Sequence, residues 1–147
     1  MRIALLLALT PFPAHPWEFS AEPICTLSHQ TDAAHIAITY DASLPEYALT
    51  ITLERSQWPR EDTFHLVFLG PPQRQIITTS RHSLSDEDRT LTVRDRGFGN
   101  VLDGMEFRPT GVARTGSMLV NLELTDADAA PAVRAFRACP PDAPATS

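Results

Sequence analysis

The chain has 147 residues, a formal charge of −6, and 43% hydrophobic against 20% charged residues, which suits one folded domain and excludes a disordered tail. All twelve of its cations are arginines, so a Schiff-base lysine, a lysine general base and the lysine of a phosphate-binding loop are excluded. The acidic balance also argues against nucleic acid as a partner, because its phosphates are neutralised by clustered cations.

Met1-Arg2 and the apolar run Ile3 to Leu9 form the basic start and short apolar core of a secretory signal peptide. The run is too short to cross a bilayer, so no transmembrane segment is expected in the mature form. It has no polar face, and Pro11, Pro13 and Pro16 follow at once, which argues against a buried first helix. The leader is expected to cover residues 1–16, with its end between 14 and 21, and to deliver the chain to the periplasm or the exterior. Residues 17–139 then form a single domain, and the Pro- and Ala-rich 140–147 a flexible tail.

Cys25 and Cys139 are the two cysteines, and an even count in an exported chain reads as a disulfide. Closing so long a loop contributes on the order of 4–5 kcal/mol through unfolded-state entropy. The pair matches neither the Cys-x-x-Cys spacing of catalytic dithiols nor a four-ligand zinc set.

From Ile24 onward the apolar residues follow period two, as half-buried strands require. The clearest runs are Ile36, Ile38, Tyr40; Tyr47, Leu49, Ile51, Leu53; Leu91, Val93; and Met118, Val120, Leu122, Leu124. Thr39, Thr50, Thr52, Thr90, Thr92, Asn121 and Glu123 fall between them as the polar face of antiparallel sheet. Phe64 to Leu69 is more continuously apolar and predicts a central strand covered on both faces, with His65 partly buried. Turn signals at Ser43–Glu46, Trp58–Asp62, Gly70–Gln73, Ser83–Arg89 and Thr115-Gly116 separate the runs. About eight strands with tight connections predict a mainly β protein, an antiparallel β-sandwich or partly open barrel. Asp126 or Asp128 as N-cap, Pro131 in the first turn and the stripe Ala129, Ala132, Val133, Phe136 predict one short C-terminal helix ending near Cys139.

The segment Arg94 to Phe107 holds three of the six glycines. Gly97-x-Gly99 lacks the third glycine and the βαβ setting of a dinucleotide fingerprint. The reading is a bulge or wide turn at Gly97 and Gly99, a turn at Asp103-Gly104, and a strand at Met105 to Phe107. No histidine pair has metal-ligand spacing, and His29, Asp32 and His35 converge only around a loop, so no metal or cofactor is expected. Ser80, His82 and Asp86 have the letters of a triad, but no Gly-x-Ser-x-Gly elbow holds the serine, so no catalytic residue is assigned. The candidate ligand residues are Arg81, His82, Arg94, Arg96 and Asp103, where arginines suit bidentate capture of a small anion. The other reading of these residues is a solvated surface of exposed ion pairs.

Trp17-Glu18-Phe19, Ile24-Cys25-Thr26-Leu27, the run Asp95 to Gly104 and the run Ala130 to Cys139 resemble a family of small exported alphaproteobacterial proteins of unknown function. Some members have carried the label of an excinuclease component, which implies ATP hydrolysis and DNA binding; the absence of lysine and of a phosphate-binding loop rules that out for this chain. The layout is also distantly similar to invasion-associated locus B proteins, which implies an envelope protein and transfers no catalytic residue. Together these readings lead to an exported, non-enzymatic binding or interaction module. Its partner would be an envelope protein, meeting an exposed apolar patch that includes Trp58, or a small anionic ligand at the arginines. A third reading is an envelope hydrolase using His82 with Ser80 or Asp86.

Overall fold

A computed structural model describes residues 15–140; the expected leader up to residue 14 and the tail beyond 140 lie outside the described residues. The strands are β1 (Glu18–Ser20), β2 (Cys25–Gln30), β3 (Ala34–Asp41), β4 (Glu46–Leu53), β5 (Phe64–Leu69), β6 (Gln75–Thr79), β7 (Ser83–Ser85), β8 (Thr90–Asp95), β9 (Thr110–Thr115) and β10 (Met118–Asn121). Two helices, α1 (Gly99–Phe107) and α2 (Ala129–Arg137), complete the described residues. The strands form two antiparallel sheets, a six-stranded one in the order β1-β2-β3-β4-β8-β7 and a four-stranded one in the order β10-β9-β5-β6. The mainly β, sandwich-like class is as predicted, with ten strands in place of about eight and a second helix.

Alternation builds the core. Leu27, Ile36, Ile38, Leu49, Ile51 and Leu91 point inward from the larger sheet and meet Phe64, Leu66, Phe68 and Ala113 of the smaller one. The intervening threonines face outward, and the hydroxyls of Thr52 and Thr90 bond across β4 and β8 at 2.9 Å. In β5 only the inner face is fully covered: His65 and Val67 are half-buried and Leu69 is exposed, so the expectation of two covered faces fails although His65 is partly buried. Trp58 is buried, its indole N–H donating to the Ile51 carbonyl at 3.0 Å, and therefore belongs to no exposed patch. The exposed apolar side chains on the smaller sheet are instead Leu69, Ile76 and Leu119.

One long side of the sandwich is sealed. The backbone N–H of Trp17 donates to Ala127 O at 2.9 Å, and its indole N–H donates to Leu122 O at 3.0 Å. These bonds tie the start of the larger sheet to the chain leaving β10. Cys25 on β2 and Cys139 after α2 are bonded with Cα atoms 5.9 Å apart, closing 114 residues of sequence. Ala129, Ala132, Val133 and Phe136 are buried as the stripe predicted. Asp128 does occupy the N-cap position, but in a left-handed conformation (φ 47°) without a side-chain capping bond.

The glycine-rich segment departs most from expectation, since a helix stands where a bulge, a turn and a strand at Met105–Phe107 were predicted. Phe98, Val101, Leu102 and Met105 recur at i, i+3, i+4 and i+7, and all four are buried. Gly104 costs about 1 kcal/mol of helix propensity relative to alanine. It is required by packing, because a Cβ there would run into the Phe68 ring. The overpacking term of about 1–3 kcal/mol outweighs that propensity gain. Gly104→Ala should therefore lower the denaturant midpoint at an unchanged m-value, a net loss of up to roughly 2 kcal/mol of stability; a stabilised variant would show that the helix is not seated on Phe68.

Candidate functional site

Opposite the sealed side, β6 and β8 border a cleft of about 160 Å³ that runs between the two sheets. Its floor is apolar: Leu49 from β4, Phe64 and Leu66 from β5, Ile77 from β6, Val93 from β8, and Phe98 and Val101 at the start of α1. A cavity of about 150 Å³ accommodates a molecule the size of benzene, so the space suits one aromatic ring or a short alkyl chain. Strand alternation makes this possible, because Ile77 and Val93 are the last inward-facing apolar residues of two strands that do not meet.

Arg81 and Asp95 stand at the mouth and pair with each other at 3.6 Å, with 76% and 46% of their side chains exposed. Arg94 also borders the cleft, but its side chain alternates to the outer face of the sheet, where Nη1 donates to Glu46 Oε1 at 3.3 Å. Such exposed pairs contribute little to stability. Arg96 is exposed and does not line the cleft; its backbone N–H donates to Asp95 Oδ1 at 2.7 Å. His82 turns away from the cleft to the crossover after β4, where Nε2 donates to the Glu61 carbonyl at 3.0 Å. Asp103 lies on α1, where it and Glu106 both accept from Arg137 of α2, the Glu106 bond being 2.9 Å. The five candidate ligand residues are thus dispersed, and only Arg81 and Arg94 border the same hollow.

The other sequence-level constellations separate too. Among the described residues no hydrogen bond links His82 to Ser80 or Asp86, and Asp86 sits near Arg89 at 3.7 Å. His29 faces inward and bonds Glu123 at 2.9 Å, whereas His35 faces outward and bonds Gln30 at 3.2 Å. Among the described residues no three His, Cys, Asp or Glu side chains are grouped to hold a metal. A broader hollow beside His82 is bordered by Arg60 and Asp88, which already pair at 2.9 Å.

Sequence reasoning missed Ile77, Val93 and Phe98 as site residues, because apolar cleft residues read as ordinary core. The helical spacing from Phe98 was the one signal available for the wall that α1 supplies. No family model, curated protein or solved structure matches the chain, so the cleft is interpreted from its geometry alone.

An aromatic wedge supports the wall beside the cleft. The Tyr47 ring stacks on Phe98 at 5.3 Å between centroids, and Tyr40 leans on it at 4.6 Å. Burial, reinforced by the neighbouring Tyr40, pushes the Tyr47 phenol above its ordinary value of 10.0, and Arg137 partly opposes the shift. Difference absorbance titration of the native protein against Tyr47→Phe should place the missing phenolate step above that value. A step at or below it would mean that the ring is solvated and the wedge open.

Proposed function

We propose that the chain is an exported, non-enzymatic binding module whose working surface is the cleft between β6 and β8. The observation that carries this reading is a hollow with an apolar floor, free of titratable side chains, under a rim of Thr78, Thr79, Arg81, Arg94, Asp95 and Asn100. Arg81 is paired with Asp95 and Arg94 with Glu46, and charges matched in this way favour an uncharged apolar group over a small anion. An anion carrier is further disfavoured because Arg94 is engaged with Glu46 and Arg96 does not line the cleft. Export is supported by the leader-like start and by a disulfide that joins the two ends of the domain.

Methyl NMR spectra of the oxidised protein, titrated with benzyl alcohol and separately with benzoate, test the site. Benzyl alcohol should shift the methyls of Leu49, Leu66, Ile77, Val93 and Val101 saturably. Gly97 borders the cleft, and a Cβ built there meets nothing within 4 Å, so Gly97→Phe should abolish those shifts while the rest of the spectrum persists. Unmoved methyls would reject the cleft. Benzoate binding at least tenfold tighter, and lost in Arg81→Ala, would establish the anion carrier instead.

Burial of Trp17 also narrows where a leader can be cut. Removal after Ala21 would discard Trp17 and β1, and with them both bonds of the sealed side. The processed protein should begin at residue 15, 16 or 17. Mass spectrometry of the exported chain checks this, and a product starting at Glu22 would refute it.

A further inference from the structure

The cleft is bordered by backbone as well as by side chains. In an antiparallel ladder each residue sends its N–H and C=O to the same side, and successive residues alternate. Leu122 N–H donates to Gly111 O at 2.9 Å, which turns the odd residues of β9 toward β10 and the even ones toward β5. Through the pairs Thr110–Leu69, Val112–Val67 and Arg114–His65, the odd residues of β5 face β9. Phe64, Leu66 and Phe68 therefore face β6, where Thr79, Ile77 and Gln75 bond back to them. Both backbone groups of Ile76 and of Thr78 consequently point out of the sheet, along the mouth of the cleft. Ile76 is 50% exposed, and Thr78 is exposed as well.

The facing strand has a gap of the same kind. Leu53 N–H donates to Arg89 O at 2.9 Å, so the odd residues of β8 face β4 and the even ones face β7. Thr90 and Thr92 meet β7, but β7 begins at Ser83, opposite Thr92. The backbone groups of Arg94 thus have no strand partner. The edge of β6 is also the least protected among the edge strands of the described residues. It has five residues, against three in β1, three in β7 and four in β10, and it contains no charge and no proline.

Resting on the cleft reading above, we propose that an extended segment of a partner protein adds to β6 as a fifth strand of the smaller sheet. It bonds the backbone of Ile76 and Thr78 and lowers one apolar side chain into the cleft. The residue opposite Ile77 shares the inward face of Ile77 and Leu66 and so enters the hollow, while its two neighbours turn outward beside Ile76 and Thr78. The segment is uncharged at the central position, because the bordering charges are already matched, Arg81 by Asp95 and Arg94 by Glu46. A second copy of the chain is the weaker occupant, since a net charge of −6 on each copy opposes self-association.

The edge is testable because its donors are separable from the fold. Proline at position 78 removes an N–H that faces solvent and leaves every backbone bond to β5 in place, losing besides it only the exposed side-chain bond of the Thr78 hydroxyl to His65 Nδ1 at 2.9 Å, so Thr78→Pro should keep the fold. A displayed library of random nine-residue peptides is selected on the full oxidised protein, and the enriched peptides are synthesised with and without N-methylation of alternate backbone amides. Enrichment of peptides with an uncharged apolar centre, weakened at least tenfold by Thr78→Pro and by N-methylation, is the expected result. N-methylation reads out the backbone pairing even where the proline variant fails to fold. Peptides insensitive to both changes would overturn the proposal. No enrichment while benzyl alcohol still moves the cleft methyls would overturn the peptide and leave the cleft; failure of both would remove the two readings together. A dimer in sedimentation velocity that Thr78→Pro dissociates would give the edge to a second copy and also overturn the proposal.

Discussion

The architecture depends on two hydrogen bonds donated by one residue. Trp17 precedes the first strand of the larger sheet, and its backbone and indole N–H groups bond carbonyls beyond the last strand of the smaller one. Its indole partner lies 105 residues away, so the bond forms only when the whole sandwich has assembled. The His29–Glu123 contact at 2.9 Å and the Cys25–Cys139 disulfide lie toward the same side. The disulfide acts mostly on the unfolded chain, restricting it by on the order of 4–5 kcal/mol of loop entropy. On the opposite side the short connection from β6 to β7 crosses between the sheets, Trp58 N–H donates to Asp88 O at 2.7 Å and His82 to the Glu61 carbonyl at 3.0 Å, while at the mouth β6 and β8 face each other across an exposed ion pair worth at most about 1 kcal/mol. The hollow lies between β6 and β8, where no strand pairing joins the two sheets among the described residues.

The wall of that opening is held at a distance. Cys139 anchors the end of α2 to β2, Arg137 of α2 grips Asp103 and Glu106 of α1, and α1 delivers Phe98 and Val101 to the cleft. The Glu106 side chain is only 9% exposed, so its pairing with Arg137 is less screened by solvent than the other arginine–carboxylate pairs among the described residues. The closeness of α1 to β5 is set by Gly104 against Phe68, a contact that any larger residue would widen. Cleft width and helix packing are therefore set by the same contacts.

Period-two alternation was legible wherever a strand has one buried and one solvated face, as in Ile36-Ile38 and Leu49-Ile51-Leu53. It was not legible in β6, an edge strand whose residues alternate between half-buried and exposed without a clean apolar-polar pattern. The disulfide followed from an even count, because two cysteines allow a single pairing. The helix α1 was hidden by its glycines: propensity spoke against it, while the i, i+3, i+4, i+7 series from Phe98 spoke for it, and tertiary packing decided. Trp58 illustrates the limit of composition, since an indole in a polar turn reads as exposed until its N–H finds the Ile51 carbonyl.

The arginines are largely engaged in ion pairs and carbonyl contacts, in line with the sequence reading of a surface of ion pairs. Arg60 pairs with Asp88, Arg94 with Glu46, and Arg137 with the two carboxylates of α1. Arg89 donates to the Leu53 carbonyl, and Arg108 to the carbonyls of Gly70 and Pro71. A guanidinium with five donors in a planar fork is suited to tying irregular loops to strand ends in a chain without lysine. Once so engaged, these groups supply no free positive field for an anionic ligand. Around the cleft stand an apolar floor, matched charges at the mouth and the unpaired backbone of β6, the three features on which the proposed neutral extended partner rests.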